Sequence, residues 1–531
     1  MMYGKKYKML AWIWFGACYL LLIGYLIGHL YDMINSDMAS ELILAKDLAE
    51  RGKFILDSEW IYSTEIRVLN TQLIFSFLFR FIDNWFLVLL LGTIILDTFL
   101  LICIYFLCCQ ISMKQYFPLI GGIFICPISE DYLNIVLGGA YYIPHICISI
   151  ISLSLLIKLN FEKLKFKYGY LIILLGLSIL AGMGGLRQIL VFYIPVFMAI
   201  VVWSINQLKS KNIDNKNGSI SFLFTDRSVI LSIIGMLFGA FGGYCINKYY
   251  LSKHYTFFNY ETIRWTDFSL DRMVQTINGL LHSLGFRNSF EVFSIETVGN
   301  VSAIIVTALL LFSIWNILIN KNCDISKKTF GKKVIVLYFT CACIAIIALY
   351  GWTDMSYVDR YNLPIIVWFS IIIALFFDSI TYRKVKRYVW ILLCSCCLFM
   401  SLGTYKRFGQ VYDNSERDAI AQFLVENEYY NGYATFWNGN VFTALSNGRI
   451  NVWVTTFEPN YISDMFSWLQ KKEHMTTEPY GKIFFITTAE EQQMDILYAK
   501  LPEDNLIYQT QNYRIYGFDS MQSIPEDIRS N

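Results

Sequence analysis

Charge and proline are both scarce: 16% of the 531 residues are charged and nine are proline, against 56% hydrophobic and 17% aromatic residues. That much apolar surface with so little charge exceeds what any soluble core of this length needs, so a water-soluble globular chain is excluded. A formal net charge of +2 leaves no basic field and excludes nucleic acid as a partner. Cysteine is missing from the two long polar segments, 33–83 and 405–531, and all thirteen cysteines lie within or beside apolar runs. The polar segments therefore carry no disulfide staple, which leans toward a bacterial surface. Clusters such as Cys394, Cys396 and Cys397 have no histidine or carboxylate companions; this argues against zinc and reads them as small hydrophobes. The tail shows no glycine-rich phosphate loop, and the chain shows no internal repeat.

What the chain does have is a series of apolar runs near the ~20 residues that cross a bilayer. They fall near 9–31, 85–108, 116–129, 141–157, 169–186, 188–206, 228–247, 297–319, 334–351, 364–380 and 388–404, an expectation of eleven spans. Lys5, Lys6 and Lys8 precede the first, which lacks a small-residue cleavage site and should remain an anchor. Segment 68–82 is apolar but short and interrupted by Arg80, so it is expected to lie in the interface. That choice puts the Lys- and Arg-rich loops 158–167, 209–227, 321–333 and 383–387 on the cytoplasmic side. The amino terminus is then cytoplasmic and residues 405–531 are extracellular.

The polar tail opens with Ser415-Glu416-Arg417-Asp418 and an amphipathic helix through Ile420, Phe423 and Leu424. Strands are expected at 433–437, 450–455, 482–487 and 514–518, with helices at 461–471 and 490–500. This alternation is that of a small α/β domain. The expected layout is an α-helical multi-pass transmembrane domain over 1–404, with interfacial helices in its first exoplasmic loop (33–84), followed by an exoplasmic soluble domain over 405–531.

Several polar residues stand where spans should meet water. Asp37 and Glu41 are four apart, on one face of a helix whose apolar stripe continues through Leu42, Ala45, Leu48 and Ala49. They serve either as surface chemistry or, in the plainer alternative, as a helix cap and a solvated side chain. Glu130 and Asp131 form a second acidic loop that can bind a cation or deprotonate an acceptor, or simply start a helix. Arg67, Arg187, Arg264, Arg287 and Arg360 are candidates to hold a lipid phosphate, because a guanidinium offers paired donors to phosphate oxygens. His145 follows Tyr141-Tyr142-Ile143-Pro144 at a span mouth, and Asp97 lies deep in the 85–108 run, where an interhelical hydrogen bond is expected.

Residues Arg360-Tyr361-Asn362-Leu363-Pro364 form a turn leading straight into a span. Together with Asp37 after the first span, the interfacial helices, the Glu130-Asp131 loop and the carboxy-terminal domain, this layout resembles the GT-C superfamily of membrane glycosyltransferases. That group includes protein O-mannosyltransferases, the aminoarabinose transferases of lipid A and the oligosaccharyltransferase catalytic subunit. The resemblance implies transfer of a sugar from a polyprenyl-phosphate donor, at the membrane lipid surface, to an exoplasmic glycan, lipid or protein acceptor. It implies Asp37 as catalytic base, or as help for a divalent cation (Mg or Mn) in some branches. Glu41 stands in for the family's second acid, because the usual Asp-Glu pair is here Asp37-Met38. Arg67 holds the place of the family's Lys-Pro-Pro segment, here Glu65-Ile66-Arg67. Glu130, Asp131, His145, Arg187, Arg360 and Tyr361 are the expected substrate contacts. A flippase of lipid-linked saccharides would instead need spans broken by Gly and Pro with polar groups at mid-membrane; a non-catalytic envelope-assembly protein would not need the polar loops to converge.

Overall fold

A computed structural model describes residues 5–64, 66–161, 164–214, 223–257, 263–288, 292–319, 327–411, 413–494 and 496–529. Among the described residues, nine helices are long and apolar enough to cross a membrane, from Tyr7–His29 to Lys384–Gly409. Long uninterrupted runs dictate this outcome, because in hydrocarbon a helix is the one open segment that satisfies every backbone donor and acceptor internally. One of the eleven expected spans comes out differently. The 116–129 run yields the eight-residue helix Phe117–Phe124, about 12 Å long, which is too short to span. Pro127 stands three residues beyond its end and cannot continue a helix. The 169–186 run falls largely within the helix Leu164–Met183. Segment 68–82 holds the eight-residue helix Gln72–Phe79 and does not cross either. Asp97, 1% exposed, departs from its expected role: neither of its carboxylate oxygens has a hydrogen-bond partner among the described residues.

Two compact units divide the chain. The first comprises 1–26, 95–247 and 261–408 and contains most of the membrane-length helices. Its polar connections are the segment after Phe117–Phe124, the π-helix Tyr132–Gly138, the amphipathic helix Leu270–Ser283 and the turn before Leu363–Ile366.

The second unit gathers 27–94, 248–260 and 409–531. Its core is a five-stranded sheet in the order Asn451–Thr455, Asn431–Thr435, Ile483–Thr488, Tyr513–Phe518, Leu506–Gln509, the first three parallel and the last two antiparallel. Four of these strands fall within two residues of their expected positions. The expected 461–471 helix is absent: Leu469 takes a left-handed φ of 46° and Gln470–Lys471 pairs as a strand. That strand joins Trp60–Tyr62 and Thr256–Phe257 in a small second sheet. The helix Ser36–Glu50 packs on Phe436–Leu445, where Asn440 donates to Ser40 Oγ at 2.8 Å and Ser36 Oγ donates to the Trp437 carbonyl at 3.0 Å. The Asn414 amide donates to the carbonyls of Tyr31, Asp32 and Ile34, tying the tail's start to the chain just after its first helix.

His474 lies buried against Trp453, rings stacked at 4.3 Å, with Nδ1 3.2 Å from Gln470 Oε1. Burial, aided by the Lys471 charge, pushes its pKa down to about 3. The unfolded chain protonates this imidazole near pH 6.5 while the folded chain does not. The contribution is therefore intact above that pH and lost as pH falls toward 3, at about 1.4 kcal/mol per pH unit. Thermal melts of the full chain between pH 7.5 and 5 should show a steeper loss for the native protein than for His474→Phe.

Candidate functional site

In the second unit, Asn35 caps Ser36–Glu50 by accepting from Met38 N, so the cap that Asp37 was expected to supply belongs to its neighbour. Asp37 sits in the first turn, where the helix dipole favours an anion, with a half-buried side chain. Glu41 accepts from Thr71 Oγ1 at 2.6 Å and from Asn70 Nδ2 at 3.1 and 3.2 Å. Burial raises its carboxyl above the ordinary range, opposed by the Arg67 guanidinium and those donors. Glu41 thus fastens its helix to the segment before Gln72–Phe79. Arg67 is close enough to Glu41 to act on its charge, and Glu65 lies outside the described residues.

In the first unit, Glu130 Oε1 receives two arginines, Arg407 Nε at 3.0 Å and Arg287 Nε at 3.8 Å. Arg287 is held in place: its backbone N–H donates to Asn300 Oδ1 at 2.7 Å, its carbonyl accepts from Asn300 Nδ2 at 2.9 Å, and its guanidinium donates to Thr404 Oγ1 at 3.1 Å. Burial lowers the pKa of Arg287, Glu130 opposes that, and the Arg407 charge adds to it. Beside this cluster Asp131 is raised by burial and by repulsion from Asp359 and Glu130, with Arg360 and His282 acting the other way.

His282 Nδ1 lies 3.0 Å from Asp359 Oδ2. A carboxylate only accepts, so Nδ1 carries the hydrogen and the ring is fixed in that tautomer. His282 Nε2 is buried without a partner among the described residues. The helix Leu270–Ser283 approaches the 357–362 turn closely at Gly279, where an added Cβ would run into Tyr357 Oη and Asp359 Oδ1. Asn362 in turn donates to Tyr357 Oη. Two cavities meet here. One, about 630 Å³, is lined by Asp131, Asp271, Gln275, Asn278, His282 and Tyr357 among others; the other, about 230 Å³, by Glu130, Arg287, Arg407 and Ser129 among others. Asp131, His282, Asn288 and Asp359 line both.

Of the expected contacts in this unit, Glu130 and Asp131 line the cavities, and Arg360 acts on Asp131. Arg187 donates to Tyr142 Oη at 3.0 Å and stands over the Tyr142 and Tyr361 rings at 5.4 and 5.3 Å. Arg360 lies 5.8 Å from the Tyr361 ring, so Tyr361 joins the two cations. His145 is buried against Tyr142, and its carbonyl accepts from Ser149 and Gln188. Asp37, Glu41 and Arg67 belong to the other unit. Residues that sequence reasoning passed over are His282, Asp359 and Arg407. Asp359 sat beside the arginine selected, and the high amphipathicity of 270–283 was the available signal for His282. Among the described residues, no three His, Cys, Asp or Glu side chains are grouped to hold a metal ion.

Gly279→Ala should force Tyr357 and Asp359 off the helix, lowering stability by about 1–3 kcal/mol and misaligning His282. A melting temperature equal to the parent's would show that the turn yields at no cost.

By sequence the chain matches no protein-family model and no curated protein. Solved structures share its fold from end to end. ArnT from Cupriavidus metallidurans in the apo state superposes with a TM-score of 0.58 at 9% identity, covering 98% of this chain and 99% of that one. The same protein bound to undecaprenyl phosphate gives 0.56 at 7% identity, with coverage of 98% and 99%. The Archaeoglobus fulgidus oligosaccharyltransferase tethered to an acceptor peptide gives 0.50 at 11% identity, over 98% of this chain and 75% of that one. The expectation drawn from Asp37, Glu130-Asp131 and the 360–364 turn thus holds at the level of architecture: the chain has the fold of the GT-C membrane glycosyltransferases.

Proposed function

We propose that this chain transfers a sugar from a polyprenyl-phosphate donor to an acceptor outside the membrane of a bacterial cell, with inversion at the anomeric carbon. The observation that carries this reading is the pair of guanidiniums, Arg287 and Arg407, converging on a single oxygen beside a polar cavity. A polyprenyl-phosphate sugar presents an anionic leaving group at the membrane surface with its reactive carbon next to it. Catalysis needs cations where charge builds up on the departing phosphate and a base for the acceptor hydroxyl. Arg287 and Arg407 supply the first. The larger adjoining cavity, walled by Asp131, His282 and Asp359, is of a size and polarity to receive a saccharide.

For the base we propose Asp37. It stands in the first turn of its helix with a half-buried side chain, whereas bonds to Asn70 and Thr71 commit Glu41 to holding that helix. The undecaprenyl-phosphate complex of ArnT supports a lipid-phosphate ligand for a chain of this fold, and the acceptor-peptide complex of the archaeal enzyme supports an external acceptor.

The test is transfer of radiolabelled sugar from a polyprenyl-phosphate donor by the purified full-length protein. Asp37→Asn should reduce transfer at least about 100-fold with expression unchanged, and Arg287→Gln should cost about 10- to 100-fold in kcat/KM. Undiminished incorporation by Asp37→Asn would remove the base assignment. Undiminished incorporation by Arg287→Gln would remove the phosphate position.

A further inference from the structure

We propose that Glu130 is an internal counter-anion for the phosphate position, occupying it in the empty protein, yielding it to the donor phosphate and reclaiming it as the product phosphate departs. The inference rests on the glycosyl-transfer reading above and adds a role that the transfer step does not itself require.

The geometry separates a fixed partner from a movable one. Arg287 is anchored by Asn300 through its backbone and by Thr404 through its guanidinium, and an added Cβ at Gly403 would lie 3.2 Å from its Nη1. Its side chain is 11% exposed, that of Glu130 33%. Against the anchored Arg287 the carboxylate can swing toward the cavity it lines, and Arg407, also 33% exposed, can follow the anion.

Charge explains why something must sit there. Two guanidiniums side by side repel, and burial already lowers the Arg287 pKa, so the site is stable only with an anion between them. Glu130 meets that need weakly. It offers one oxygen to both Nε atoms, the longer contact at 3.8 Å, and a single charge. The donor's phosphodiester offers two non-bridging oxygens, so each guanidinium gains an oxygen of its own, and the monoester left after transfer offers three oxygens and up to two charges. The surrounding carboxylates set the direction of the exchange. Asp131 and Asp359 line the same cavity, and a phosphate that entered with Glu130 still in place would face all three. Withdrawal of Glu130 keeps the local charge nearly constant while the donor is bound. Its return competes with the polyprenyl phosphate left after transfer, and so speeds release.

The experiment titrates a short-chain polyprenyl phosphate into the full-length protein in detergent, comparing the native chain with Glu130→Gln and Arg287→Gln. Glu130→Gln should bind at least about tenfold more tightly and should turn over more slowly once product accumulates; Arg287→Gln should lose binding. Glu130→Asp, which draws the carboxylate back by one methylene, gives the same readout should the glutamine variant fail to fold, with tighter binding expected. Equal or weaker binding by the Glu130 variants, with Arg287→Gln impaired, overturns the counter-anion role alone. Absence of binding in the native chain, with Arg287→Gln no different, overturns the phosphate position and this inference with it.

Discussion

Hydrocarbon tolerates few unsatisfied polar groups, and that one constraint sorts most of this chain, Asp97 being an exception. Long apolar runs become helices because a helix satisfies its own backbone, and charge is driven to the segments where helices end. Glu130, Asp131, His282, Arg287, Asp359 and Arg407 all lie at or beside such ends. Once there, they are not fully hydrated either: Arg287 and Asp131 are both shifted by burial. A half-dry pocket of opposed charges makes each interaction stronger than in water, which suits a reaction that builds negative charge on a leaving group.

The membrane part was legible because run length is a one-dimensional property; it failed only where a run was cut short, as at Phe117–Phe124 before Pro127. In the tail, strands showed through β-branched and aromatic clustering. Tyr461–Lys471 misled because Ile462, Met465 and Trp468 mimic a helical stripe, whereas tertiary pairing of Gln470 and Lys471 with residues 60–61 won. Local pattern cannot reveal a partner hundreds of positions away.

The site divides in the same way. Glu130 and Asp131 were visible because adjacent acids at a span end are costly and therefore conspicuous. Arg407 was invisible, since a basic residue ending a span is ordinary anchoring and its carboxylate partner is remote in sequence. His282 and Asp359 gain meaning only as a pair, through a glycine at 279 that lets a helix and a turn touch. Asp97 stands as the reverse case: the sequence invited a partner, and among the described residues none is bonded to it.

The small sheet joins residues 60–62, 256–257 and 470–471, and Ser40 bonds a residue 400 positions later. During synthesis, the helix that carries Asp37 meets Gln72–Phe79 early, but must wait for almost the entire polypeptide before Phe436–Leu445 covers its other side. Until then that side has no protein cover, so a ribosome stalled before the tail emerges would leave the helix half-clad and open to protease.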